Sequence, residues 1–504
     1  MAGIFLYTLE IAVLSTLIAA LIGVPASFFT ARRNFLGRRF ILSFSAVPLC
    51  VPPLIVALGY VTFFGVNGTA NAFLARIIGP SFKPLKILYS PFGIIIAQGF
   101  YNFPLVTGIL NDAWSNIPDD QERAARTLGT GEFRIFFTIT LPKLSGAIAA
   151  ACIPVFLFCY FSFMIVMLFS SVGKSTIEVE IYRSISTTLD YKKAFSLSII
   201  ETVTALAVVL LYSVVSRKSQ TTSAGIAFAK RKRRFPGTES FVSPAGRIAE
   251  IAGFVLILLL IFIFFVCPFI SIFKSGFQEK RLGEEYFSLR QYVSMFKSKT
   301  FLAAFKNSFF TGISTGFCCM LLGFIYSVII KLTKKQGNIF LQLLPLIPMA
   351  ISSVVLAWVF GLIFHKGPPL LLVVMETLLY WPIAYRQIQN GINQIDSDTD
   401  KAALMFSKNK VDSVVRIYLP ASRKYLVSAF CYCFAVSMGD ATLPLVLSVP
   451  RFETLALYTY RLAGNYKFYQ ASASGTVLTV ICCLLFTFMR IYSRSDFRLK
   501  KGEN

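Results

Sequence analysis

Charge is what this sequence has least of. Only 14% of its 504 residues are Asp, Glu, Lys or Arg, where an ordinary soluble protein carries about 25%. Histidine is reduced to one residue, His365. Ten cysteines are present, but none form a CxxC pair, and nearly all sit inside apolar runs, as Cys152, Cys159, Cys318, Cys319, Cys482 and Cys483 do. A zinc site needs closely spaced Cys or His ligands. No metal site is therefore expected, and the cysteines read as small apolar residues. A complete phosphate loop is missing too. Gly173-Lys174-Ser175-Thr176 resembles the end of one, but Leu168 stands where the first glycine is required. No catalytic residues and no cofactor are expected, and the chain does not read as an enzyme. Nor does a basic segment precede the first apolar run, so no cleaved signal peptide is expected.

Apolar residues fill the space that charge leaves. They make up 56% of the chain, too much to hide in a core surrounded by water. A membrane helix needs about 20 mostly apolar residues. Runs of that size fall at 4–30, 40–64, 88–112, 143–171, 193–216, 248–274, 303–331, 338–364, 369–390, 418–448 and 470–493, about eleven in all. The expected fold class is an all-α polytopic membrane protein.

The formal net charge is +25, from 49 Lys and Arg against 24 Asp and Glu. In a soluble chain such a balance points to nucleic acid. Here the cations cluster in short stretches between apolar runs: Arg32-Arg33, Arg38-Arg39, Lys230 to Arg234 and Lys331 to Lys335. Cytoplasmic loops of membrane proteins accumulate Lys and Arg in this way. The expected surroundings are membrane lipid, with no nucleic acid. If loop 31–39 is cytoplasmic, alternation puts 113–142, 217–247, 332–337, 391–417 and the tail after 493 on the same side. The N-terminus is then outside and the C-terminus cytoplasmic.

The longest basic stretch, Ser216 to Arg247, carries Pro236, Gly237 and Ser/Thr-rich flanks, and reads as a cytoplasmic linker. The sequences on its two sides resemble each other. Ala124-Ala125 recurs as Ala402-Ala403, Leu141-Pro142 as Leu419-Pro420, Phe103-Pro104 as Trp381-Pro382, and Tyr182-Arg183 as Tyr460-Arg461, each pair 278 residues apart. A register held without gaps over so long a stretch marks an internal duplication. Both copies keep one membrane orientation, which makes them parallel repeats. The expected organisation is a first lobe over 1–216, a linker over 217–247 and a second lobe over 248–504.

Two repeated loops carry the most information. The first, 122–142, runs from Glu122-Arg123-Ala124-Ala125 through Gly129 to Leu141-Pro142. The second, 400–420, runs from Asp400-Lys401-Ala402-Ala403 through Ser407 to Leu419-Pro420. They resemble the signature of permease subunits of ATP-binding-cassette importers: Glu-Ala-Ala, three residues, Gly, then spaced apolar residues ending in Leu-Pro. The first copy matches at Ala124, Ala125, Gly129, Phe136, Ile139, Leu141 and Pro142, with Arg123 in the acidic position. The second matches at Ala402, Ala403, Val414, Ile417, Leu419 and Pro420, with Lys401 for the acid and Ser407 for the glycine. Physically, the acidic residues near Asp119-Asp120 favour a helix N-terminus. The alanines allow close approach of another surface, Gly129 permits a turn, and Pro142 suits the first turn of the following span.

The resemblance implies that each loop holds a short coupling helix that docks on an ATPase subunit. One chain supplies both lobes, so two copies of a cytoplasmic ATPase are implied, with a periplasmic or lipid-anchored substrate-binding protein on the other face. It also implies six spans per lobe where the first lobe shows five. The expectation is therefore a lost span or a start upstream of Met1.

Residues 161–183, with Leu189-Asp190-Tyr191, resemble thiamine-importer permeases. Residues 437–447, around Gly439-Asp440, resemble a stretch shared by thiamine and ferric-iron permeases. Thiamine is the expected substrate, with ferric iron or a phosphonate as alternatives. Charged groups within apolar runs are functional candidates because lipid burial is costly. Asp440 is one, suited to a cationic substrate, and Glu10 is another. Tyr182 and Tyr460 are candidate pathway residues, and Phe103 and Trp381 are further aromatics of the same kind. Glu178, Glu180 and Arg183 are expected outside the membrane, near the binding-protein face. An ion-coupled secondary transporter is the competing class. It favours buried charged relays and broken helices, whereas this chain has few buried charges and two paired loops. A channel is a third class, but no filter-like motif appears.

Overall fold

Lipid offers no hydrogen bonds, so a segment that crosses it satisfies its own backbone, and helices do this one span at a time. The structure, a computed structural model, describes residues 1–38, 41–42, 51–79, 82–117, 120–170, 174–222, 233–234, 244–281, 284–333, 341, 344–364, 368–395 and 407–499. Among them regular structure is almost wholly helical. The strands are two short pairs, β1 (Arg33–Asn34) parallel to β2 (Arg233–Arg234), and β3 (Gln278–Arg281) antiparallel to β4 (Glu284–Phe287). The polytopic all-α class expected from the sequence is the class observed.

Among the described residues, eight helical stretches are long and apolar enough to cross a membrane. They are α1 (Ala2–Arg32), Pro53–Ile78, α2 (Pro91–Ser115), Glu132–Tyr160, Tyr191–Tyr212, Glu250–Gly276, Lys299–Leu332 and Phe468–Met489. Two less apolar helices, Pro369–Ile392 and Leu419–Gly439, occupy further runs identified in the sequence. Run 338–364 is represented by the shorter helix Ser353–Phe364. His365, Gly173, most of the 217–247 linker, and Lys401, Ala402 and Ala403 lie outside the described residues.

One boundary differs from the sequence reading in an informative way. After the short helix α3 (Asp120–Thr127), the fourth span begins at Glu132, not near Lys143. This helix, α4 (Glu132–Tyr160), passes through a π-helical turn at Phe136–Thr140 before Pro142. Proline withholds the N–H that would reach the carbonyl four residues back, and its ring crowds that carbonyl. Widening the turn relieves the conflict without ending the helix: the Leu141 amide donates to Phe136 O, five residues back. Pro142 therefore lies inside a continuing helix and does not open a new one.

By contact the chain forms two compact units. The first comprises Met1–Pro48, Val56–Glu180 and Val203–Ser271; the second comprises Leu49–Ile55, Ile181–Thr202 and Ile272–Asn504. In the first, α1, α2 and α4 pack together. In the second, the corresponding helices are α5 (Lys299–Leu332), α6 (Pro369–Ile392) and α7 (410–439), which also pass one another closely. The π turn recurs in α7 at Val414–Tyr418, before Pro420, again 278 residues on.

The first helix of each trio repeats at a different distance. A Cβ on Gly23 of α1 would lie 2.7 Å from Val106 of α2. A Cβ on Gly323 of α5 would lie 2.9 Å from the Tyr385 nitrogen of α6 and 3.1 Å from the carbonyl carbon of Ala384. Ala384 is the counterpart of Val106 at 278, whereas Gly323 follows Gly23 by 300. Helices in lipid associate through close van der Waals contact at small residues, and here the contact has outlived a change in connection length.

Replacing Gly23 or Gly323 with Leu should lower the thermal midpoint of the detergent-solubilised chain by the equivalent of about 1–3 kcal/mol, the usual penalty for overpacking. Midpoints equal to wild type would show that these helices do not meet at the glycines.

Candidate functional site

The first repeated loop has two parts. Helix α3 carries Asp120 and Glu122 in its first turn, where carboxylates complement the helix dipole. It ends at Gly129, whose φ of 76° is costly for any residue with a Cβ. The Gly129 amide donates to Arg126 O at 3.0 Å and the Thr130 amide to Ala125 O at 3.1 Å, a Schellman pair that satisfies the helix's last carbonyls. Arg123 and Ala124 are exposed and Ala125 is half-buried, so the alanines are open to an approaching surface.

Helix α4 supplies the second part. Phe136, Ile139 and Leu141 are half-buried and Pro142 is exposed. Phe136 packs on the cluster of Ala31, Trp114 and Leu144. Leu128 and Phe133 are 84% and 79% exposed, and Phe137 is exposed beside Phe133.

The acid of the loop lies one residue before the position assigned from the signature. Arg123 does occupy that position, but Glu122 is buried, and its Oε1 lies 2.9 Å from Arg32 Nη2 on α1. The Thr140 hydroxyl donates to the same oxygen at 2.9 Å, and Arg126 approaches Oε2 at 3.8 Å. Arg126 also forks onto exposed Glu132. Sequence reasoning missed this node. Its signal was the pairing of Glu122 with Arg126 at helical spacing.

In the second loop, Ser407, Val414, Ile417 and Pro420 are half-buried and Leu419 is exposed. Val411 and Val415, the counterparts of Phe133 and Phe137, are 68% and 56% exposed. Exposed apolar side chains thus mark the start of the π turn in both repeats, Phe133 and Val411 before it and Phe137 and Val415 within it.

Each helix trio also holds a buried polar cluster at matching positions. In the first unit, the Ser15 hydroxyl of α1 donates to Gln98 Oε1 of α2 at 2.9 Å. Asn102 Nδ2 donates to Gln98 O at 3.0 Å and to Cys159 Sγ at 3.5 Å. In the second unit, the Thr315 hydroxyl of α5 donates to Glu376 Oε2 of α6 at 2.8 Å, and the Ser437 hydroxyl of α7 donates to the same oxygen. Glu376 follows Gln98 by 278, Tyr380 follows Asn102, and Ser437 follows Cys159. Gln98 Nε2 and Glu376 Oε1, the remaining end atoms, have no hydrogen-bond partner among the described residues. Glu376 was overlooked in the sequence although the rule that selected Asp440 applies to it equally.

Asp440 is half-buried and fully engaged. Tyr380 donates its hydroxyl to Oδ2 at 2.8 Å, and the Thr442 amide donates to Oδ1 at 2.7 Å. It thereby anchors α8 (Thr442–Leu447) to α6. Glu10 is exposed on α1. Phe103 is 1% exposed, and Trp381 stacks edge-on to Tyr326, so both serve packing. Tyr182 and Tyr460, repeat mates, are half-buried and within electrostatic reach of each other in the second unit. Glu178, expected outside the membrane near the binding-protein face, is fully buried, and Glu180 accepts from the Ser175 hydroxyl at 2.7 Å.

Two matched lobes, each with an apolar loop ahead of a kinked span and each built on a three-helix core, define a duplicated transport permease. The chain belongs to the family of binding-protein-dependent transport system inner membrane components, which matches it over residues 23–219 and 320–500. It is 25% identical over 488 residues to the thiamine transport system permease protein of Brucella abortus (strain 2308), covering 95% of this chain and 85% of that protein. It is 25% identical to the thiamine permease protein of Escherichia coli (strain K12), covering 93% and 86%. The ferric transport system permease protein of Actinobacillus pleuropneumoniae is 23% identical, covering 97% of this chain and 70% of that protein. The chain is thus a multi-pass inner-membrane permease of the ATP-binding-cassette importer type, not an enzyme, and works with ATPase and substrate-binding partners.

Because Gln98 fills in the first lobe the place that Glu376 fills in the second, Glu376→Gln should leave the thermal midpoint near wild type. Glu376→Leu strands the Thr315 and Ser437 hydroxyls and should cost about 1–3 kcal/mol. Equal damage from both substitutions in detergent melting would show that the carboxylate itself is required.

Proposed function

We propose that this chain is the fused permease of a thiamine importer, carrying thiamine or a thiamine phosphate inward, and that each repeated loop docks one of two identical ATPase subunits. The observation that carries the coupling role is the pair of exposed apolar surfaces, Leu128, Phe133 and Phe137 in one loop and Val411 and Val415 in the other, each set at the start of a π turn. The loops face the cytoplasm, in keeping with the basic stretches around them. The substrate-binding protein, periplasmic or lipid-anchored, docks on the opposite face, and membrane lipid covers the apolar belt. ATP binding draws the ATPases together, and the lobes rock to open the pathway outward. Hydrolysis resets them. Such a shift needs only that nucleotide favour one of two states.

Thiamine is supported by the thiamine permeases among the relatives and by the chemistry of the pathway candidates. Thiamine is a flat aromatic cation. Tyr182 and Tyr460, half-buried repeat mates, offer aromatic rings for such a ligand, and Asp440, held by Tyr380, offers a carboxylate. Ferric iron is the second reading, favoured by the ferric relative.

Two measurements test this. Cells producing the chain with its ATPase should take up labelled thiamine saturably, and Asp440→Asn should cut that uptake severalfold. Uptake of ferric complexes but not thiamine would transfer the assignment to iron, and unchanged uptake by the variant would remove Asp440 from the pathway. For the loops, Leu128→Asp combined with Phe133→Asp should release the ATPase from affinity-tagged chain while the protein still inserts. Undiminished ATPase recovery would defeat the docking role.

A further inference from the structure

A buried ion pair ties the first loop to the membrane helices. In the first lobe three elements meet at one carboxylate. Glu122 of α3 binds Arg32, the last residue of α1, and accepts the Thr140 hydroxyl from the π turn of α4. The group is nearly closed to solvent, with 13% and 9% of the Arg32 and Glu122 side chains exposed. It is therefore a held contact, unlike the exposed ion pairs that contribute little.

The second lobe presents other residues at the same places. Arg32 corresponds to Leu332, the last residue of α5, by the register that relates Gly23 to Gly323, and Thr140 corresponds to Tyr418. Neither carries a charge. Tyr418 is 1% exposed within an apolar cluster, against which Leu332, Ile395 and Val414 pack. Among the described residues these two places in the second lobe are uncharged, and Asp400, the counterpart of Glu122, lies outside the described residues.

We propose that Glu122 is the positioning residue through which movement of the first coupling helix reaches α1. The proposal rests on the reading that α3 docks an ATPase. Without the ion pair, α3 remains a helix capped at Gly129 and remains exposed for docking, but its displacement no longer pulls on the Arg32 end of α1. Glu122 touches no substrate, and its role is mechanical.

The test uses the full chain purified with the ATPase that its affinity tag recovers. Hydrogen exchange is followed by mass spectrometry without nucleotide and with ATP plus orthovanadate. In wild type, nucleotide should change exchange in the coupling helix, in the last turns of α1 and in the last turns of α5. In Glu122→Gln and in Arg32→Met, the α1 response should fall severalfold while the α3 and α5 responses persist. The double variant should lose no more than either single one, as expected for two halves of one link. A merely structural role would raise exchange without nucleotide in both elements and leave the nucleotide-dependent difference in place. An α1 response that survives Glu122→Gln, or that is absent from wild type, overturns the proposal, as does loss of the ATPase from the variant complex, which would make Glu122 a docking residue. Failure of the wild-type chain to recover any ATPase is a separate result, one that overturns the permease reading and this inference with it.

Discussion

A polar side chain inside a lipid-bound protein has no water to fall back on. The hydrogen bond from a hydroxyl on the first helix of each trio to Gln98 or Glu376 on the second answers that constraint. It is buried and spans two helices, and in each unit it lies along the same pair of helices that meet at Gly23 or Gly323. Lipid tails are as apolar as leucine, so burying leucine does little to hold one span against another. Close contact at small residues and a few polar links must do it. The position of every other feature follows from the trio. The long third helix, α4 or α7, carries the π turn out of the trio, and the loop is an extension of that helix.

Much of this was legible beforehand. Apolar runs gave the helices because a span of lipid imposes its length on any sequence that crosses it. The register of 278 gave the duplication, and the alanine pairs with their Leu-Pro endings gave the loops. What stayed hidden has physical reasons. The first helices repeat at 300, so a search at one spacing passes over Gly23 and Gly323, and over Ser15 and Thr315. Glu122 was hidden because the signature assigns the acid to the place of Arg123. Which side chain turns inward is decided by helix phase and by a partner ninety residues away, and a motif records neither. Pro142 misled in a different way. Proline is at home in a helix's first turn, and only the carbonyl of Phe136 shows that the helix had already begun.

The π turns bear on how a loop can act on a span. A flexible hinge would absorb the displacement of a docked helix. A π turn keeps the backbone hydrogen-bonded while changing its direction, so 132–160 and 410–439 each behave as one bent rod. Residues Phe133 and Phe137, or Val411 and Val415, sit at the outer end of that rod. The ion pair of Glu122 with Arg32 adds a second attachment, to a different helix.

Fusion makes the difference between the lobes possible. When a transporter is built from two copies of one chain, both loops and both trios are identical by construction. A chain that encodes the two lobes separately is free to vary either, provided each contact survives. Gln98 and Glu376 keep one hydrogen bond with a different acceptor, an amide oxygen in one lobe and a carboxyl oxygen in the other. Arg32 with Thr140, and Leu332 with Tyr418, keep one junction with different forces. A salt bridge is directional and fixes an angle between α3 and α1. An apolar cluster is tolerant of sliding and fixes mainly a distance. The two junctions therefore resist displacement in different ways. The difference lies in the permease itself, at matching places beside the two repeated π turns.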